Sequence, residues 1–108
     1  MAAFGALLHL TAHAGQRDEL IHVLGNYLKT LEDGEPGTTL VTVALDPNDD
    51  DTVWMWEEFA DADAVQAHFA HDFFQALQLE LADLLEEPVA IRPMAPIARH
   101  VHGGVTAE

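Results

Sequence analysis

The fold is decided by TVWMWEEFADADAVQAHFAHDFFQALQLELADLLEEP, residues 52–88, because the hydrophobic period changes within it. As far as Phe59 the residues alternate. Val53, Met55, Glu57 and Phe59 fall on one face of a strand, and Trp54, Trp56 and Glu58 on the other. Asp61 is a good helix N-cap, and from Ala62 to Glu86 the apolar residues recur at helical spacing. An unbroken helix of that length would measure ~37 Å against ~27 Å for a strand of about 8 residues, so a break is expected. Asp72-Phe73-Phe74-Gln75 has the capping-box pattern and predicts a second helix start, with the split near His71. That second piece should bury Phe73, Leu77, Leu81, Leu84 and Leu85, and Pro88 ends it.

Upstream, Ala3–His13 alternates as a first strand, with Phe4, Ala6, Leu8, Leu10 and Ala12 on one face and Leu7, His9, Thr11 and His13 on the other. Gly15 breaks it. Leu20, Leu24, Tyr27, Leu28 and Leu31 then mark a helix from Gln16 to about Asp33, with Gly34 as an expected left-handed stop. Pro36-Gly37 forces a turn into a second strand, Thr38–Leu45. The acidic run Asp46–Asp51 reads as a solvated turn between strands, since the spaced ligands and closing glutamate of a calcium loop are missing. Downstream, Val89–Ala95 is a fourth strand, confined by Pro93 to an edge or an irregular path, and the tail 96–108 is expected to lack firm order.

Strand, helix, strand, strand, helix, strand is the split β-α-β pair of an α+β, ferredoxin-like (β-α-β-β-α-β) sandwich. Residues 1–108 form one domain by the size prior, with a core at about 4–95. Both helices cover one sheet face. The other carries Leu7, Leu40, Trp54 and Trp56, an apolar patch that a monomer rarely leaves to water, so a homodimer through that face is predicted.

Composition narrows the function classes. With 19 Asp+Glu against 4 Lys+Arg the formal net charge is −15, which repels nucleic acid and anionic membrane alike. The chain has no cysteine, so thiol catalysis and zinc–thiolate sites drop out and a cytoplasmic setting is expected. No signal-peptide pattern and no apolar run of membrane-spanning length occurs. Gly-rich phosphate loops and a Gly-x-Ser-x-Gly elbow are absent as well.

Several marks occur together in order: Gly15, Glu35-Pro36-Gly37-Thr38, Glu57, and Ala64-Val65-Gln66-Ala67-His68 followed by Phe73-Phe74. In these the chain, from Phe4 to Ala95, resembles the antibiotic-biosynthesis-monooxygenase-like domains of the dimeric α+β barrel superfamily. The resemblance implies sheet-to-sheet pairing of two copies. It also implies oxidation of quinols, anthrones or related rings by molecular oxygen with no cofactor, neither metal nor flavin, while other relatives have no known reaction. The haem-degrading branch carries an asparagine, a tryptophan and a histidine where this chain has Leu8, His68 and Gln78, so haem degradation is disfavoured.

Cofactor-free oxygenation needs a base and a dry pocket, because the deprotonated substrate supplies the electrons. His68 is the candidate base, and Glu57 the candidate carboxylate that orients it or raises its basicity. The plainer alternative, a structural tie between sheet and helix, has the stronger prior. Leu8, Tyr27, Met55, Phe69, Phe73 and Phe74 are the expected lining for a small hydrophobic or aromatic molecule. His68-x-x-His71 could face one way, but a metal site is not expected. Two functions remain: a cofactor-independent monooxygenase, or a dimeric ligand-binding or stress-related protein without turnover.

Overall fold

The computed structural model describes residues 4–107. The elements run β1 (Phe4–Thr11), α1 (Arg17–Gly34), β2 (Thr38–Leu45), β3 (Thr52–Phe59), α2 (Ala62–Ala70), α3 (Asp72–Leu84), β4 (Ala90–Met94), β5 (Ala98–Val101) and β6 (Gly104–Ala107). The main sheet has the order β2-β3-β1-β4, with every pair antiparallel. This is the expected α+β, ferredoxin-like arrangement with its second helix broken in two. Among the described residues no helix is long and apolar enough to cross a membrane.

Register matches the alternation. Ala6 lies opposite Glu57, Leu8 opposite Met55 and Leu10 opposite Val53, so one face of β1 and β3 is apolar apart from one glutamate. Leu20, Leu24, Tyr27 and Leu31 of α1 and Leu77 and Leu81 of α3 close over that face and complete the core. On the reverse face Gly5 is required by close approach, since a Cβ there would lie 2.9 Å from the Trp56 indole. β4 is the edge strand that Pro93 predicted.

Three local expectations are corrected. Gly34 is the last helical residue and has no positive φ; the chain leaves α1 at Glu35, whose backbone N–H donates to the Leu31 carbonyl. The physical reason is Pro36, whose ring bars the preceding residue from the helical region, so the helix ends without help from glycine. The split between α2 and α3 falls at His71 as expected, but Gln75 does not complete a capping box. Its side-chain amide donates to the Phe69 carbonyl at 3.1 Å, tying α3 back to α2. The C-terminal tail is a hairpin, β5–β6, with a two-residue turn at His102-Gly103, where Gly103 takes a φ of +105°. Arg99 on β5 pairs with Glu58 on β3. Ile97 and Val101 of this segment remain 72% and 63% exposed.

Candidate active site

Four polar side chains meet inside the core: Tyr27 from α1, Glu35 from the end of that helix, Glu57 from β3 and His68 from α2. Each is at most 6% exposed. Strand alternation puts Glu57 on the helix-covered face, between Ala6 and Val41 on the flanking strands. Glu35 is delivered by the proline-enforced exit from α1. Gly37 then lets β2 start against α2, since a Cβ at Gly37 would lie 2.6 Å from that of Ala64. Asp61 caps α2 by accepting from the Ala64 N–H at 2.8 Å, and the helix carries His68 over the sheet.

The imidazole lies between two carboxylates. Nδ1 is 2.6 Å from Glu35 Oε1, a short charge-assisted contact, and Nε2 is 3.2 Å from Glu57 Oε2. The second contact is close enough for an ion pair but is not aligned as a hydrogen bond, which leaves Glu57 Oε2 without a directed protein partner. Glu35 Oε1 also accepts from the Thr38 hydroxyl at 3.2 Å. The Tyr27 hydroxyl sits 3.3 Å from both ring nitrogens. Phe59, Phe69 and Phe74 pack around the imidazole with ring centroids 5.1–5.2 Å from it.

Burial is the largest single influence on His68 and pulls its pKa down, but the Glu57 and Glu35 carboxylates together outweigh it and raise the pKa above the ordinary imidazole value. Burial first, and then the same two carboxylates, push the Tyr27 phenol far up, so it stays a neutral hydroxyl. The raised pKa favours the protonated imidazole between the two carboxylates.

This geometry sets His68 between two carboxylates. A general base needs a free lone pair, and both ring nitrogens of His68 lie against carboxylates while the residue is 1% exposed. Glu57 Oε2 and Glu35 Oε2 both lack a directed hydrogen bond, although Glu57 Oε2 lies 3.2 Å from His68 Nε2. The structural tie between sheet and helix is present, and it is double, because Glu35 joins it. Glu35 stood out in the sequence only as part of the Glu35–Thr38 turn pattern; a lone glutamate before a proline gives no sign that its side chain turns inward.

Beside the cluster is a cavity of about 40 Å³ whose walls include Leu8, Tyr27, Met55, Glu57, His68 and Phe74. Four of the six expected lining residues thus surround it. Phe69 instead packs edge-on against His68 and Phe74, and the side chain of Phe73 lies outside the described residues. Sequence reasoning did not anticipate Leu24, Leu77, Gln78, Leu81, Val89 or Ile91, which also line it. Gln78, Leu81, Val89 and Ile91 continue into an outer groove of about 450 Å³ between α3 and β4, rimmed by Glu86 and Glu87. Among the described residues no group of three or more His, Cys, Asp or Glu side chains could hold a metal ion.

Leu7, Leu40, Trp54 and Trp56 lie on the opposite, helix-free face and are all half-buried. Trp54 stacks at 4.5 Å on His9 and donates to Asp46, and Trp56 donates to Glu58.

Solved structures share this architecture. A protein of unknown function from Nitrosomonas europaea is 28% identical, with 96% of this chain and 98% of that one covered and a TM-score of 0.81. A candidate antibiotic biosynthesis monooxygenase from Chloroflexus aurantiacus J-10-fl is 26% identical, covering 94% and 100% at a TM-score of 0.73. A second such candidate, from Caulobacter crescentus CB15, shares the fold at a TM-score of 0.83, with 17% identity and coverage of 89% and 91%. No curated protein matches the chain. The family profile described as antibiotic biosynthesis monooxygenase matches residues 3–79, well over half of the sequence, and on that ground the chain belongs to the antibiotic biosynthesis monooxygenase family.

Proposed function

We propose that the protein is a cofactor-independent monooxygenase acting on a small phenolic, quinol or anthrone-like ring. The observation that carries this reading is the buried Glu57 carboxylate, with one oxygen lacking a directed hydrogen bond, on the wall of an otherwise apolar cavity. A carboxylate kept from water beside an imidazolium can accept an acidic proton from the ring, and His68 with Glu35 holds the resulting charge distribution in place. The deprotonated, electron-rich ring then passes electrons to dioxygen. For an anthrone-type methylene the balance closes without a cofactor: one oxygen atom becomes the new carbonyl, the other leaves as water with the two methylene hydrogens, and the methylene supplies all four electrons.

The working unit is proposed to be a homodimer joined through the helix-free faces. In a chain of 19 acidic residues the paired strands β1 and β3 place one carboxylate on that face, Glu58, which Arg99 and the Trp56 N–H already engage. Two highly acidic copies can meet there without opposing bare carboxylates. Sedimentation at micromolar concentration should return a dimer, and a monomer would remove this part of the reading.

One observation favours the second reading, a ligand-binding protein without turnover: the inner cavity, at about 40 Å³, is far smaller than a drug-sized site of roughly 300–1,000 Å³. Oxygen consumption with a panel of anthrones, naphthols and hydroquinones separates the two. Turnover above the spontaneous rate supports the oxygenase. Saturable binding with no oxygen uptake across the panel establishes the binder.

A further inference from the structure

We propose that the inner cavity selects ligands by their hydrogen-bonding state, holding a ring whose inserted end is a hydroxyl and rejecting the same ring when that end is a carbonyl or an anion. The inference rests on the reading of this cavity as the reacting site and adds what the site accepts.

It begins with dimensions. The inner cavity of about 40 Å³ takes little more than one polar group with its ring edge, whereas the adjoining groove of about 450 Å³ takes a ring system. Because the two share Gln78, Leu81, Val89 and Ile91, a ligand fits with its body in the groove and one end pushed inward. That end meets Glu57, buried and with Oε2 lacking a directed partner, and the Tyr27 hydroxyl. His68 offers nothing further, since its two ring nitrogens face Glu35 and Glu57.

The polar complement is therefore one acceptor without a proton and one neutral phenol with a proton to give. A ligand hydroxyl satisfies both, donating to Glu57 and accepting from Tyr27. A carbonyl satisfies Tyr27 alone and buries the Glu57 oxygen against a second acceptor. A carboxylate meets the Glu57 carboxylate with no proton to donate to it, after passing Glu86 and Glu87 at the rim. Sites built around a ligand hydroxyl discriminate strongly against analogues without it, for this reason.

The test is calorimetric titration under argon with 1-naphthol, 1-tetralone and 1-naphthoate. With the native protein 1-naphthol should bind about 10-fold or more tightly than 1-tetralone, and 1-naphthoate should bind most weakly. Glu57→Gln provides an amide N–H in place of a bare acceptor, so in that variant, with its circular dichroism unchanged, the preference for 1-naphthol should disappear or invert. Equal native affinity for 1-naphthol and 1-tetralone, or tighter binding of 1-naphthoate, would overturn the proposal whatever the variant does. A preference that survives intact in folded Glu57→Gln would also overturn it. Binding under argon is separate from turnover, so a protein that consumes no oxygen yet shows the preference loses the oxygenase reading and keeps this one.

Discussion

Glu57 and Glu58 are neighbours on β3, point to opposite faces of the sheet and are both buried, yet they are neutralised in different ways. Glu58, on the helix-free face, has Arg99 and the Trp56 indole N–H, which occupy its two oxygens. An arginine stays protonated across the accessible pH range, so this arrangement is fixed. Glu57, on the helix-covered face, has a histidine, whose charge depends on its surroundings and which it shares with Glu35. One oxygen of Glu57 has no directed partner and lines a cavity. The contrast teaches that burial of a charge is not in itself a sign of function. A saturated pair holds structure together, whereas the incompletely satisfied cluster beside a cavity is where the proposed chemistry is placed.

The largest effect is expected from removing the shared cation. His68→Ala leaves Glu35 and Glu57 buried with no positive charge between them, and breaking buried pairs in this way typically costs about 3–5 kcal/mol. Urea unfolding of the purified variant measures it. A loss below ~1 kcal/mol would mean that the two carboxylates do not depend on the imidazolium, and the contrast with Glu58 would fail.

Next is turnover. Glu57→Gln should lower oxygen consumption by ~10²-fold or more, in line with the contribution of a positioned base. Glu58→Gln, one residue along and on the other face, should leave it within about a factor of two. Equal losses in the two variants would show that both glutamates act only through folding.

How far this contrast was legible follows from physical range. The two faces of β3, the break at His71 and the sheet arrangement could be read because periodicity is local, and the meeting of Glu57 with His68 followed once both faced inward. Glu35 could not be read: it lies 33 residues before His68, in a turn, and burial of its side chain is settled only when β2 packs on α2. The small size of the inner cavity was equally hidden, since it depends on how closely Phe59, Phe69 and Phe74 pack on His68. The tail hairpin was missed because His100, His102, Gly103 and Gly104 look like loop formers. The two-residue turn they make and the Arg99–Glu58 pair depend on a partner more than 40 positions away, on β3.

The pH dependence separates the two glutamates at smaller amplitude. The folded state raises the His68 pKa, so unfolding releases that proton in the window between the ordinary imidazole value and the raised one. The stabilisation is fully present below the ordinary value of about 6.5 and is lost as pH rises through the folded value. Stability should therefore decline on the alkaline side of neutrality, by at most about 1.4 kcal/mol per pH unit for one proton. In Glu57→Gln the decline should shift to lower pH, because one of the two stabilising carboxylates is gone; in Glu58→Gln it should match the native protein. Urea midpoints across that range, with the His68 ring followed by NMR, provide the measurement, and a native profile flat in this window would count against an imidazolium in the cluster.

The smallest effect should come from Arg99→Ala, and its size bears on why Glu58 is buried at all. Arg99 is part-exposed, its side chain 36% accessible, so solvent screens much of its attraction to Glu58, and exposed pairs typically contribute ~0.2–1 kcal/mol. The carboxylate keeps the Trp56 N–H at 2.8 Å, so the loss does not orphan it as His68→Ala would orphan Glu57. The chain should lose no more than about 1 kcal/mol in urea and keep its turnover where the dimer is held together. The larger consequence is expected in assembly: Arg99 offsets the one carboxylate that β1 and β3 place on the helix-free face, so without it two copies would bring uncompensated charges together. Sedimentation of Arg99→Ala at raised and lowered salt should then show a weaker dimer that recovers as salt screens the repulsion. If the variant dimerises as firmly as the native chain at low salt, the Glu58–Arg99 pair serves only to hold the hairpin against the sheet, and the two glutamates differ in saturation but not in what their faces are for.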